Sequence, residues 1–143
     1  MSEAVAIDLP LEPASARRAR EGLKTFQDSV DEAMFIDLCL LVDELIVEAL
    51  HGDGDSEDGG RGGDIELRAE CDGGRVHVMV AEGRGSYHLP SRRPEPGDPG
   101  FGLHLVQRLS DRWGIRRDRG RATVWLELLG KSRRGLTSEA QLA

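Results

Sequence analysis

Residues 31–50 carry more apolar surface than a helix at the edge of a domain can use. Met34, Leu38, Leu41, Val42, Leu45, Ile46 and Ala49 recur at spacings of three and four, which is one helix face. Cys39, Leu40 and Val47 widen that stripe, so this helix should lie deep in a core, with Asp31 as its N-cap. A helix of this kind needs a broad apolar partner, and the residues that follow supply one. Asp64–Glu70 alternates Ile65, Leu67 and Ala69, and Arg75–Ala81 alternates Val76, Val78 and Val80. Period-two alternation marks half-buried strands, here joined by the turn Cys71-Asp72-Gly73-Gly74.

The rest of the chain is organised around that pair. Residues 4–9 read as a short strand ended by Pro10, and Ala14 to Ser29 as a helix with Ala16, Ala19, Leu23 and Phe26 on one face. Pro13 sits near its start, where a missing N–H does no harm. Gly102 to Trp113 is predicted helical, with Leu103, Leu105, Val106, Leu109 and Trp113 inward and Gly114 as the stop. Arg121–Leu129 is the last strand, with Val124, Leu126 and Leu128 on one face and Thr123, Trp125, Glu127 and Leu129 on the other. Residues 52–63 hold six glycines and four acids and read as a mobile loop. Pro90, Pro94, Pro96 and Pro99 break up residues 83–101. The order predicts an α+β, two-layer α/β sandwich with helices on one face of a mixed, mainly antiparallel sheet. The domain spans 4–130, and 131–143 is a polar, flexible tail.

Composition narrows the function. A chain of 143 residues suits one domain and can bury a core without disulfides. A net charge of −7 argues against direct nucleic acid or an anionic membrane as partner, since both need a basic face. The run Arg116, Arg117, Arg119, Arg121 is a local exception, read as a solvated loop. Cys39 and Cys71 have no metal spacing, the N-terminus has no signal-peptide pattern, and no stretch reaches the roughly 18 apolar residues of a membrane helix. The expected compartment is the cytoplasm.

Three constellations can carry chemistry. Gly100-Phe101-Gly102-Leu103 opens a helix, where free N–H groups can meet an anion, although two glycines also serve simply to turn the chain. Asp37, Glu44, Glu48 and His51 share one side of the deep helix. Carboxylates there are either its wet edge or a Mg²⁺ site. Glu82-Gly83-Arg84-Gly85 follows a strand; the acid can accept a hydrogen bond from a ligand amine, or the segment is an ordinary turn. Two other metal readings are weak. Glu48-x-x-His51 has no second copy for a di-iron pair, and the calcium-loop pattern from Asp53 has Asp58 where the sharp turn needs glycine. No serine or cysteine has the setting of a nucleophile.

In this order the three constellations resemble the ATP-binding boxes of the histidine-kinase-like ATPases, a superfamily shared with gyrase and mismatch-repair ATPases. The branch that looks most similar is that of the small anti-sigma factors and related serine kinases. Leu41-Val42-Asp43-Glu44-Leu45-Ile46-Val47-Glu48-Ala49-Leu50-His51-Gly52 falls where the family has Glu-Leu-x-x-Asn-Ala-x-x-His. Gly100 to Val106, continuing to Gly114, fits its late glycine box, and Thr123-Val124-Trp125-Leu126-Glu127 its final strand.

The resemblance implies roles. Glu44 would be the general base that takes the proton of a substrate serine, and Glu82 the acid that reads the adenine amino group. Gly83, Gly85 and Thr123 would support adenine, and the backbone of Gly100, Gly102 and Leu103 would cradle phosphates. Glu48 stands where the family binds Mg²⁺ through asparagine. That places a negative charge beside triphosphate, and glycine is also missing at Arg84. Two functions follow as expectations. One is an ATP- and Mg²⁺-binding regulator that holds a sigma factor or an anti-sigma antagonist and, if active, phosphorylates the antagonist as a serine/threonine-protein kinase. The other is a nucleotide-independent module that uses the fold to hold a protein partner, a second copy of itself included.

Overall fold

The structure, a computed structural model, describes residues 2–51, 64–83, 87, 89–90 and 92–130, without the side chain of His51. The acidic glycine-rich segment 52–63, the tail 131–143, Arg84, Gly85 and His88 lie outside the described residues. Among the described residues, five strands and three helices follow in the order β1 (Ser2–Pro10), α1 (Ala14–Leu23), α2 (Glu32–His51), β2 (Asp64–Asp72), β3 (Arg75–Glu82), α3 (Phe101–Leu109), β4 (Arg112–Asp118) and β5 (Arg121–Leu128). A 3-10 turn, Lys24–Phe26, continues α1. The strands form one sheet in the order β1-β2-β3-β5-β4, and all four pairings are antiparallel.

One apolar row shows how the alternating strands make a layer. Ile7, Leu67, Val80, Val124 and Ile115 lie side by side across the five strands. Leu67, Val80 and Val124 are fully buried, and the wide stripe of α2 lies in the same core. Met34, Leu38, Leu41, Val42, Leu45, Ile46 and Ala49 are all buried, as the stripe predicts. Asp31 caps α2, its carboxylate accepting the Met34 N–H at 2.8 Å. The opposite face of the sheet carries polar and aromatic residues, with His77 stacked on Trp125 at 6.1 Å. No helix among the described residues is long and apolar enough to cross a membrane.

The chain departs from the sequence reading after Leu109. The predicted helix 102–113 stops there, because Ser110 turns extended and the Asp111 N–H donates to Glu127 O at 2.9 Å. Asp111 then accepts the Leu129 N–H at 2.8 Å, which ties the reversal to β5. Trp113 and Gly114 therefore belong to β4, a strand the helical spacing concealed. Gly114 is no helix stop; a Cβ there would fall 2.5 Å from the Trp125 indole nitrogen. The arginine run is likewise not a loop. Arg116 and Arg117 lie on β4, Arg121 on β5, and Arg119 with Gly120 makes the tight turn between them at positive φ.

Candidate functional site

The C-terminal half of α2 meets the start of α3 across a very short gap. Gly102 allows it: a Cβ there would stand 2.9 Å from the backbone oxygen of Glu44. Gly100 precedes the helix at φ 90°, a left-handed value suited to glycine, and lies against Pro90. At this junction the Glu48 carboxylate turns toward α3. Its Oε1 accepts the Gly100 N–H at 2.8 Å and the Gly102 N–H at 3.3 Å. The N-terminal N–H groups of a helix have no partner within the helix and attract an anion. Here the anion is a side chain of the same chain.

A second contact closes the neighbouring space. β3 ends on Glu82, 1% exposed, on the helix-covered face, where it pairs with Ala122, which in turn pairs with Arg117 of β4. Tyr87, fully buried, bridges from this end of the sheet to α2: its hydroxyl donates to the Leu45 carbonyl at 2.9 Å. The Arg117 guanidinium donates to the backbone carbonyl of Tyr87 from the other side. Burial raises the phenol pKa well above its ordinary value, helped by the charges of Glu82 and Glu48.

Glu44, one turn before Glu48, stays half-buried. Burial, then the charges of Asp43 and Glu48, raise its carboxyl above the ordinary range. Among the described residues no group of three His, Cys, Asp or Glu side chains lies close enough to hold a metal ion.

The sequence model of the histidine kinase-like ATPase domain matches residues 9–128, most of the chain. The chain belongs to this family. No curated protein gives a significant match. Among solved structures, the RsbU and RsbW domains of Rv1364c from Mycobacterium tuberculosis are similar, with a TM-score of 0.67 and 21% identity over 90% of this chain. The match takes up 32% of that protein, so this chain spans about a third of its length. At that identity the likeness is one of fold.

Set on the histidine kinase-like ATPase fold, the predicted site residues divide. Glu44, Glu48, Gly100 and Gly102 come together where α2 meets α3, and Glu82 with Gly83 lies at the end of β3. Leu103 turns its side chain into the core. Gly85 lies outside the described residues. Thr123 is not brought to the site: it pairs with Ala81 on the outward face of β5, and the residue beside Glu82 on the covered face is Ala122. Strand alternation fixes that outcome, since Thr123 and Val124 must face opposite ways.

Two site residues escape a reading of the sequence, Tyr87 and Arg117. The one usable signal is that the chain's single tyrosine sits in a proline-broken stretch. The arrangement also bears on the nucleotide that this family's name implies. Phosphate oxygens would need the Gly100 and Gly102 N–H groups that Glu48 holds. A phosphate oxygen and Oε1 of Glu48 cannot both take these two donors. As arranged, these residues do not fit the phosphates of a nucleoside triphosphate.

Proposed function

We propose that this chain is a regulator of the anti-sigma-factor type that acts by holding a protein partner, with its nucleotide site filled by its own side chains. The observation that carries the reading is the Glu48 carboxylate on the Gly100 and Gly102 N–H groups. It satisfies the start of α3 from within the chain, so the helix junction needs no ligand anion to hold it. The resemblance to anti-sigma factors and the fold likeness to a structure that includes an RsbW domain support a protein partner, a sigma factor or its antagonist. Titration calorimetry with ATP and Mg²⁺ tests the reading. The wild type should give no binding heat at millimolar nucleotide, whereas Glu48→Asn, which restores the family's amide, should gain affinity. A wild type that binds ATP as tightly as the variant would sink the reading.

A second reading keeps kinase activity, with Glu44 as the base toward a serine or threonine of the antagonist. The raised Glu44 carboxyl favours it, since a base works best with a pKa closer to neutral pH. It requires Glu48 to leave the α3 cradle. Transfer of labelled phosphate to an antagonist protein by the wild type, abolished in Glu44→Gln, would establish it over the first reading.

A further inference from the structure

α3 has a second face that its junction with α2 does not use. Gly102, Leu103 and Val106 turn to the core, whereas Phe101, Leu105 and Leu109 stay half-buried on its flank. They stand one turn apart, a row of about 12 Å. His104 and Arg108 run beside that row at the same spacing, and the imidazole is tilted against the Phe101 ring at 6.2 Å. Arg93 to Pro96 form the other wall, and the groove between encloses about 630 Å³, within the ~300–1,000 Å³ of small-molecule sites. That wall is fixed. Pro94 is buried, the Glu95 N–H donates to the Asp98 carboxylate at 2.9 Å, and the Phe101 N–H donates to Asp98 O at 3.1 Å, which ties the turn to the start of α3. Charge sets the groove apart as well. The chain carries a net −7, yet Arg93, Arg108 and His104 line the groove against one acid, Glu95. Neither arginine forms an ion pair among the described residues.

We infer that this groove is a binding site for a small amphiphilic anion, a linear apolar chain that ends in a carboxylate. The chain lies along Phe101, Leu105 and Leu109 and takes their flank out of water. The carboxylate accepts N–H donors from Arg93 and Arg108, whose planar guanidinium forks suit its two oxygens. An apolar row alone would take any oily group; the unpaired arginines commit the groove to an anion. Its volume suits a small molecule, since a stable protein partner needs a face of about 800 Å². Glu48, Gly100 and Gly102 do not line the groove, so the inference is independent of the nucleotide site.

Titration of the full chain with sodium decanoate, kept below its micelle concentration, tests the site. The amide resonances of His104, Leu105 and Arg108 should move saturably. The Kd should be about tenfold or more below that of decanol or decyltrimethylammonium, which share the tail and lack the anion. Arg93→Gln with Arg108→Gln should weaken decanoate about tenfold or more, and should leave Tm unchanged because both side chains are exposed. Glu95→Gln should tighten decanoate about two- to fivefold, the share of one exposed like charge. Three amphiphiles that bind alike, or a double variant that binds decanoate as the wild type does, would overturn the inference. So would the absence of saturable movement with decanoate, which would leave the groove to a segment of a protein partner. ATP binding at Gly100 and Gly102 would not alter these results.

Discussion

The two halves of α2 are built by different rules. The first half is capped by Asp31 and buries Met34, Leu38, Leu41 and Val42 in the core. Its capping bond spans three residues, and the apolar stripe follows the helix period. In the second half the same stripe continues through Leu45, Ile46 and Ala49, but three further contacts are laid over it. Gly102 presses on the Glu44 backbone, Tyr87 donates to Leu45, and Glu48 holds the start of α3. The hydrogen bonds among them reach 42 to 54 residues along the chain. The first half packs; the second half packs and also organises a site.

Substitutions in the two halves should therefore separate. Leu38→Ala deletes a fully buried side chain in the first half and should cost about 2–5 kcal/mol in urea unfolding. Amide hydrogen exchange in the variant at low urea should leave the Gly100 and Gly102 N–H groups as protected as before. Glu48→Ala removes an acceptor of two N–H donors; hydrogen bonds to a charged group contribute about 1.5–3 kcal/mol, so a loss of about 2–3 is expected. Unlike Leu38→Ala, it should expose both glycine amides to exchange. Equal amide protection in the two variants would erase the distinction between the halves.

Gly102→Ala sharpens the contrast, because its Cβ meets rigid backbone. Overpacking of that kind costs about 1–3 kcal/mol, and the same two amides should lose protection. Asp31→Ala removes only a cap, worth about 1 kcal/mol, and should leave them unchanged.

The smallest effect is one of pH. The fold raises the Glu44 carboxyl, so the native state holds its proton more tightly than the unfolded chain. Stability from this group falls as pH rises from the ordinary value of 4.5 through the raised one, and the penalty remains at neutral pH. Glu44→Gln should therefore be slightly more stable than wild type at neutral pH. The gain should vanish well below 4.5, which melts across that range would read.

The same division explains what could be read in the sequence. Asp31, the stripe of α2 and the alternation of β2, β3 and β5 are local patterns, and each appears in the structure where its period requires. Gly100 and Gly102 are legible because the resemblance marks them. β4 was hidden because Trp113 follows Leu109 by four, a helical spacing, whereas its pairing with β5 becomes visible only once the Arg119-Gly120 turn is seen. The placement of Glu48 could not be read, since its family position suggests a metal and its partners lie some 50 residues away. The family resemblance points Thr123 at the site, and a one-residue change of strand face carries it away.

The backbone amide resonances of Gly100 and Gly102 test the account most directly. In the wild type, titrated with ATP and Mg²⁺, both should stay fixed because Glu48 already holds their N–H groups. Saturable movement of both on addition of the nucleotide would contradict it.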